Sequence, residues 1–171
     1  MIKEGENSLD EALKERGYCI VDPTNIWSIS AEALSMQQIP PVTAFSIFPP
    51  LAIQREIWTA NGIDASRIEI MDRVKTPKTT IFGRINAKPA ASAFVAVSNK
   101  IAMVHALIVD HKFQRQGMGK HVMQKVGVWA HQQGAESVVV LCTKQNQSAN
   151  NFYKILGMKV IGEYHYRLFK T

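Results

Sequence analysis

The sequence predicts an α/β fold in which a mixed sheet carries helices on its faces. Two apolar runs, Ala91–Val97 and Ile101–Val109, are nearly continuous, which is typical of central strands covered on both sides. After them, a glycine-rich turn leads into a segment with helical periodicity, and strands and helices then alternate. At 171 residues, the chain is long enough for one domain with a substantial core.

The first thirty residues predict a helix followed by two short strands. Ser8–Arg16 opens with a serine cap, has a glutamate three residues later and ends at a glycine. Apolar residues then predict strands over Tyr18–Val21 and Asn25–Ser30, on either side of the turn signal Asp22-Pro23.

The middle of the chain predicts one helix and three strands. Proline in the first turn favours a helix that runs from after Pro49-Pro50 to about residue 60. Residues 63–77 have no clean period and receive no assignment. Thr79–Ile85 is a predicted strand, and the two apolar runs form a hairpin through Ser98-Asn99-Lys100.

The last third predicts alternating strands and helices. Met118, Val122 and Val126 recur at helical spacing, whereas Gln124 is predicted to point away from this apolar side. The remaining predicted elements are the strand Ser137–Thr143, a helix over Ala149–Leu156, and the strands Val160–Glu163 and Tyr164–Phe169.

A weak internal repeat in the order of predicted elements suggests how the domains are organised. The order helix, strand, turn, strand in residues 8–29 recurs in residues 148–169. We therefore expect residues 1–24 to be an N-terminal helix-strand segment that is the remnant of a preceding domain, with residues 25–171 as the main domain. The chain would then be the C-terminal part of a tandem-domain protein.

Composition narrows the choice of partner and compartment. The net charge of +6 favours an anionic partner, although a basic surface without specific use explains it equally well. Scattered basic residues and aromatic residues within apolar runs argue against nucleic acid. No run approaches the roughly 20 apolar residues of a membrane span, and the N-terminus lacks the apolar core of a signal peptide. We expect a cytoplasmic protein with no membrane partner.

The turn Gln114–Lys120 predicts an anion site. It joins an apolar strand to a helix, so backbone N–H groups and the positive end of the helix dipole meet there. Two nucleotide motifs fail at this turn. A P-loop requires serine or threonine where His121 stands, and a dinucleotide fingerprint requires glycine where Val122 stands.

The turn instead matches the acyl-CoA-binding signature Gln/Arg-x-x-Gly-x-Gly/Ala through Gln114, Gly117 and Gly119. Downstream, Asn146 precedes Phe152-Tyr153, and an apolar-Gly-apolar step follows. With these motifs, residues 79–169 resemble the GCN5-related N-acetyltransferase (GNAT) superfamily. The stretches 105–109 and 113–119 look most like serotonin (arylalkylamine) N-acetyltransferases.

The resemblance implies a mostly antiparallel sheet splayed at its centre, with helices on both faces and acetyl-CoA in the gap. Backbone groups of three strand residues would bind the pantetheine arm, and the turn would hold the pyrophosphate. Asn146 would contact pantetheine, and Phe152 would pack on the cofactor. The implied cofactor-binding residues are Leu107, Ile108, Val109, Gln114, Arg115, Gln116, Gly117, Met118, Gly119, Lys120, Asn146 and Phe152.

The resemblance also implies two catalytic residues. His105 is the candidate base or relay for the substrate amine, and a buried histidine hydrogen-bonded to backbone is an equal alternative. Met103 replaces the second histidine of the serotonin-type enzymes. Tyr153 is the candidate acid for the leaving thiolate, against the alternative of a core aromatic residue.

We therefore expect an N-acetyltransferase that moves acetyl from acetyl-CoA to a primary amine by direct attack in a ternary complex. The alternative is a noncatalytic acetyl-CoA-binding regulatory domain. We expect the acceptor to be a small-molecule or peptide amine. The sequence does not decide whether the protein is a monomer or a homodimer. The histidines lack metal-ligand spacing, so no metal is expected.

Overall fold

The computed structural model describes residues 1–169 and has a mixed α/β fold. In these residues, eight strands belong to a mostly antiparallel sheet, which six α-helices accompany. The strands are β1 (Ile2–Lys3), β2 (Tyr18–Ser30), β3 (Ala44–Ile47), β4 (Lys78–Ile85), β5 (Lys88–Ser98), β6 (Ile101–Val109), β7 (Ser137–Thr143) and β8 (Lys159–Phe169). The helices are α1 (Asn7–Glu15), α2 (Ala31–Ser35), α3 (Ala52–Ala60), α4 (Ala65–Arg73), α5 (Met118–Gln132) and α6 (Gln147–Ile155). The predicted fold class is confirmed.

The chain forms two compact units. Residues 29–139 make the central unit, and residues 1–28 together with residues 140–169 make the terminal unit. Strand β2 runs through the expected boundary between residues 24 and 25. Whether the first 24 residues are a separate segment stays a prediction. No helix within residues 1–169 is long and apolar enough to cross a membrane.

In the central unit, β3, β4, β5 and β6 are consecutive antiparallel neighbours. Helix α5 packs on them with the predicted apolar side, since Met118, Val122 and Val126 are all buried. The prediction for Gln124 is wrong. Its side chain is 2% exposed, because its amide is satisfied inside the protein by His121 and Gln37.

Residues 63–77, which had no assignment, contain α4. Its N-cap is Asp64, whose Oδ1 accepts a hydrogen bond from the backbone N–H of Arg67 at 3.0 Å. Only Ile68 and Met71 of this helix are buried. Two buried apolar positions in nine residues make too weak a period to identify the helix from sequence.

In the terminal unit, β8 lies between β1 and β2, and β2 also neighbours β7. The sequence divided both β2 and β8 into two short strands, and each is one long strand. The turn signal Asp22-Pro23 is a bulge within β2, where Asp22 has a φ of 48° and the register with β8 shifts. A bulge tolerates proline without ending the strand.

Candidate active site

The loop after β6 folds back onto the end of that strand. The side chain of Asp110 accepts a hydrogen bond from the backbone N–H of Lys112 at 2.9 Å, which starts a 3₁₀ turn. The Nε2 of Gln114 donates to the carbonyl of Val109 at 3.1 Å and lies 3.2 Å from the Nδ1 of His111. These contacts fix the direction in which the chain approaches α5.

Helix α5 begins at this loop without a side-chain cap. Gly117 is its N-cap residue with a φ of 81°, and Arg115 two residues earlier also has a positive φ of 61°. The backbone N–H groups of the first helical turn therefore have no cap from a side chain, which is the arrangement that binds anions. Met118 is 1% exposed, so its side chain is not available to a ligand, whereas Lys120 is exposed.

A bulge interrupts β6 at the start of the predicted pantetheine-binding stretch, residues 107–109. Ala106 and Leu107 stand opposite the single residue Ala93 of β5, and Ala106 has a φ of 52°. The indole Nε1 of the fully buried Trp58 donates to the carbonyl of Ala106 at 2.8 Å and holds the bulge in place. Neither bulged residue pairs with β5, so the strand offers backbone groups outside the ladder.

His105 precedes this bulge, and its side chain is exposed rather than buried. Its ring lies 6.4 Å from the ring of Phe94, measured between centroids. Partial desolvation by the surrounding protein, and then the charge of Arg67, lower the pKa of His105 below the ordinary value. The imidazole is therefore neutral at pH 7, which is the form a base requires.

Tyr153 lies in the terminal unit, on α6, and is 6% exposed. Its ring is 6.3 Å from the ring of Trp27 and 5.2 Å from the half-buried ring of Phe152. Burial, and then the neighbouring thiol of Cys142, raise the pKa of Tyr153. The phenol therefore stays protonated throughout the neutral range and can act as a hydrogen-bond donor.

Asn146 is the N-cap residue of α6. Its Oδ1 accepts a hydrogen bond from the backbone N–H of Ala149 at 3.0 Å. The carboxamide oxygen is thus used within the helix start, and its Nδ2 is the atom that can donate to a ligand.

Asn150 is a residue of this region that the sequence reasoning missed. Its Oδ1 accepts hydrogen bonds from Asn25 Nδ2 at 3.0 Å and Trp27 Nε1 at 2.9 Å. Its Nδ2 donates to the carbonyls of Thr143 and Asn146, both at 2.8 Å. The available signal was its position three residues before Tyr153, since that spacing puts a polar side chain on the apolar side of the helix.

The predicted site residues thus fall into two groups. His105, residues 107–109 and residues 114–120 lie in the central unit, where one strand and the loop after it hold them. Asn146, Phe152 and Tyr153 lie in the terminal unit, at the start and on the buried side of α6. Within residues 1–169, no three His, Cys, Asp or Glu side chains are grouped as metal ligands.

A family model and a curated relative both identify this chain as similar to acetyltransferases. The model of the acetyltransferase (GNAT) family matches residues 50–158. The uncharacterized N-acetyltransferase YobR of Bacillus subtilis (strain 168) is 28% identical over 101 residues, which are 58% of this chain and 40% of that protein. The chain thus matches less than half the length of this curated relative.

Solved structures show the same fold. A functionally unknown conserved protein from Staphylococcus epidermidis ATCC 12228 superposes with a TM-score of 0.70 at 18% identity, covering 100% of this chain and 69% of that one. A GCN5-related N-acetyltransferase from Kribbella flavida gives 0.69 at 21% identity, covering 94% and 63%. At these identities the likeness concerns the fold.

Proposed function

This chain belongs to the acetyltransferase (GNAT) family, and from that membership we propose that it transfers an acetyl group from acetyl-CoA to a primary amine. The observation that carries the proposal is the start of α5. Gly117 opens this helix in a left-handed conformation, no side chain caps it, and the acyl-CoA-binding signature falls on the same residues. Backbone N–H groups in this arrangement suit a pyrophosphate.

Acetyl-CoA would be bound along β6 and the loop after it. The backbone N–H groups of residues 114–120 would hold the pyrophosphate, with Arg115 and Lys120 adding positive charge. Backbone groups of residues 107–109 would bind the pantetheine arm and polarise the acetyl carbonyl. Support for this role comes from the bulge at Ala106, which takes the backbone of Leu107 out of the ladder with β5. Asn146 would donate from Nδ2 to pantetheine, and Phe152 would pack on the cofactor.

The proposed reaction forms one bond and breaks one between heavy atoms, and protons move from the amine and to the sulfur. The acceptor nitrogen attacks the acetyl carbon, the N–C bond forms, and the C–S bond breaks to leave the thiolate of CoA. His105 would take the proton that the amine loses, and its lowered pKa supports this role because the ring is neutral at pH 7. Tyr153 would donate a hydrogen bond and a proton to the thiolate.

The acceptor is proposed to be a small-molecule or peptide primary amine. Residues 105–109 and 113–119 look most like those of serotonin-type enzymes, but the departure at residue 103 argues against an arylalkylamine acceptor. Met103 stands where those enzymes have a second histidine. A relay through two histidines therefore does not form part of the proposal.

The experiment separates binding of the cofactor from turnover. Calorimetry measures the affinity for acetyl-CoA, and release of free thiol is followed with small amines, amino acids, peptides and aminoglycosides. Thiol release with one class, together with an acetylated product, supports an N-acetyltransferase. Tight binding without turnover on any class would favour a noncatalytic acetyl-CoA-binding regulatory domain. Absence of binding would refute both.

Two glycine variants test whether the loop before α5 binds acetyl-CoA. Gly117→Ala strains a left-handed residue inside the loop, and we expect a loss of about tenfold in acetyl-CoA affinity. Gly134→Ala strains a residue of similar φ, 75°, beyond the far end of α5. Neither glycine meets a close neighbour at Cβ, so the backbone strain is matched. An equal loss of affinity in both variants would show that the effect is not local to the loop.

The tandem arrangement is also a proposal. Its support is the order helix then long strand near both ends of the chain, which is α1 with β2 and α6 with β8. An upstream reading frame that continues into residue 1 would support a preceding domain. A native translation start at Met1 would contradict it.

A further inference from the structure

A cavity of about 230 Å³ lies in the central unit beside the loop that precedes α5. Its walls come from the start of β3, the end of β4 and the first turn of α5. The lining residues are Thr43, Arg84, Ile85, Asn86, Gln116, Met118 and His121. Two of these side chains can carry positive charge, three are neutral and polar, and none is a carboxylate.

Close packing fixes Arg84 at this place. A Cβ atom on the preceding residue, Gly83, would lie 2.5 Å from the sulfur of Met118 and 3.2 Å from Val122. The absence of a side chain at residue 83 therefore lets β4 approach α5 directly. The guanidinium of Arg84 makes one long hydrogen bond, 3.4 Å from Nη2 to the carbonyl of Ala87, and its Cζ lies 6.0 Å from the centroid of the Phe45 ring. Most of its N–H donors stay available to a ligand.

A chain of hydrogen bonds sets the orientation of His121. Its Nδ1 lies 2.9 Å from Oε1 of the buried Gln124, and the Nε2 of Gln124 donates to Gln37 at 3.0 Å. Because an amide oxygen only accepts, Nδ1 carries the hydrogen. The other nitrogen, Nε2, lies 3.8 Å from the position of a Cβ on Gly117. It therefore faces the loop.

We propose that this cavity binds the 3′-phosphate of CoA. The inference rests on the proposed function, because the loop would hold the pyrophosphate and the 3′-phosphate is on the adjoining ribose. Gln116 and Met118 belong both to the loop and to the cavity wall, so the two phosphate sites are contiguous. A guanidinium is well matched to phosphate oxygens. The Nε2 of His121 faces the same space, while its Nδ1 stays with Gln124.

The test compares CoA with 3′-dephospho-CoA by calorimetry. The native protein is expected to bind CoA about tenfold more tightly than dephospho-CoA. Arg84→Gln and His121→Gln are each expected to remove most of this difference and to leave the affinity for dephospho-CoA unchanged. Lys88→Gln is the control, because it removes an exposed positive charge on the same hairpin, outside the cavity.

Three outcomes would overturn the assignment. Equal affinity of the native protein for both ligands would show that the 3′-phosphate has no site. An equal loss for both ligands in the Arg84 and His121 variants would mean that these residues act elsewhere. If Lys88→Gln reduced the affinity difference between CoA and dephospho-CoA by the same amount, the difference would come from the overall positive charge and not from the cavity. Failure of both ligands to bind the native protein would instead refute the proposed function and, with it, this inference.

Competition by inorganic phosphate is an independent test of the same site. If the cavity is the 3′-phosphate site, millimolar phosphate should compete with CoA more strongly than it competes with dephospho-CoA. Equal competition against both ligands would place the phosphate at the pyrophosphate loop and contradict the inference. Thermal unfolding of each variant, measured without ligand, establishes that a lost affinity difference does not come from a lost fold.

Discussion

At the scale of single residues, Tyr153 has the environment of a phenol that is protonated before the reaction begins. Burial raises its pKa, so the hydroxyl carries its proton at neutral pH. Replacing it with phenylalanine keeps the ring that packs on Trp27 and removes only the hydroxyl. We expect Tyr153→Phe to lower kcat by about 100-fold or more, with the affinity for acetyl-CoA unchanged.

The control for this variant is Tyr166→Phe, which removes a hydroxyl from an exposed tyrosine in the same unit. It should leave kcat as it is. Native turnover in Tyr153→Phe would remove the phenol from the mechanism. A large drop in acetyl-CoA affinity would assign it to binding instead.

The lowered pKa of His105 leads to a prediction about how kcat/KM depends on pH. Its pKa is lowered from the usual value of about 6.5, so the neutral, basic form predominates above that lower value. If His105 is the base, kcat/KM should rise with pH through an inflection below 6.5 and then level until the amine titrates. In His105→Gln this inflection should disappear and the plateau should fall about 100-fold.

Two companion variants test the cause. His131→Gln removes an exposed histidine at the end of α5 and should keep the inflection. Arg67→Gln removes the second contributor to the lowered pKa, so the inflection should move up toward 6.5 without disappearing. A native profile in His105→Gln would show that the imidazole does not take the proton.

At the scale of elements, Asn150 attaches α6 to two strands of the terminal unit. Its four hydrogen bonds involve β2 through Asn25 and Trp27, the end of β7, and the cap of α6. In Asn150→Ala, the indole N–H of the buried Trp27 loses its partner. We expect a loss of about 2 to 3 kcal/mol in the free energy of unfolding.

Chemical denaturation measures this loss, and Asn151→Ala is the matched control. Asn151 is the exposed neighbour on the same helix, so its replacement should change stability by less than about 0.5 kcal/mol. Because Tyr153 is one turn further along α6, Asn150→Ala should also lower kcat. Equal stability of the two variants would contradict the anchoring role.

Elements with a strong, uninterrupted signal were predictable. The bounds of β7 agree with the prediction at both ends, and the predicted apolar side of α5 is buried, because a buried apolar run and a long apolar face are both strong signals in the sequence. The short strand β3 and helix α4 were missed, since their few buried residues give no period. Continuity of β2 through Asp22-Pro23 was missed because a bulge and a turn share the same residues.

At the scale of the whole molecule, one ion cluster joins the two ends of the chain. Asp10 on α1 accepts hydrogen bonds from His165 at 2.7 Å and from two nitrogens of Arg167 at 2.7 and 2.8 Å. The partners are 155 and 157 residues apart in sequence. Hydrogen bonds from Arg167 first, and then from His165, hold the pKa of Asp10 well below its usual range.

This cluster predicts a pH-dependent stability. Since the pKa of Asp10 is lowered by folding, its contribution is present above the unfolded value of about 3.9 and is lost as the pH falls below it. Asp10→Asn should therefore be less stable than the native protein at pH 7, and the gap should narrow below about pH 4. Urea denaturation across this range measures the difference.

Glu11→Gln is the control for the cluster. Glu11 lies on the same helix and forms an ion pair with the exposed Lys14, an arrangement that contributes little. Its replacement should leave the pH profile of stability as it is. A gap between Asp10→Asn and the native protein that does not change with pH would mean that the carboxylate charge is not the cause.

The sequence by itself determined the fold class and the start of α5, because both depend on neighbours within a few residues. Apolar periodicity, a glycine that tolerates positive φ and the signature around Gln114 are all local properties. The tertiary structure alone decided the rest. The bulge held by Trp58, the hydrogen bond from Gln124 to Gln37 and the cluster at Asp10 join residues that are 48, 87 and 155 positions apart. Such contacts arise only when packing brings distant segments together, and no local pattern encodes them.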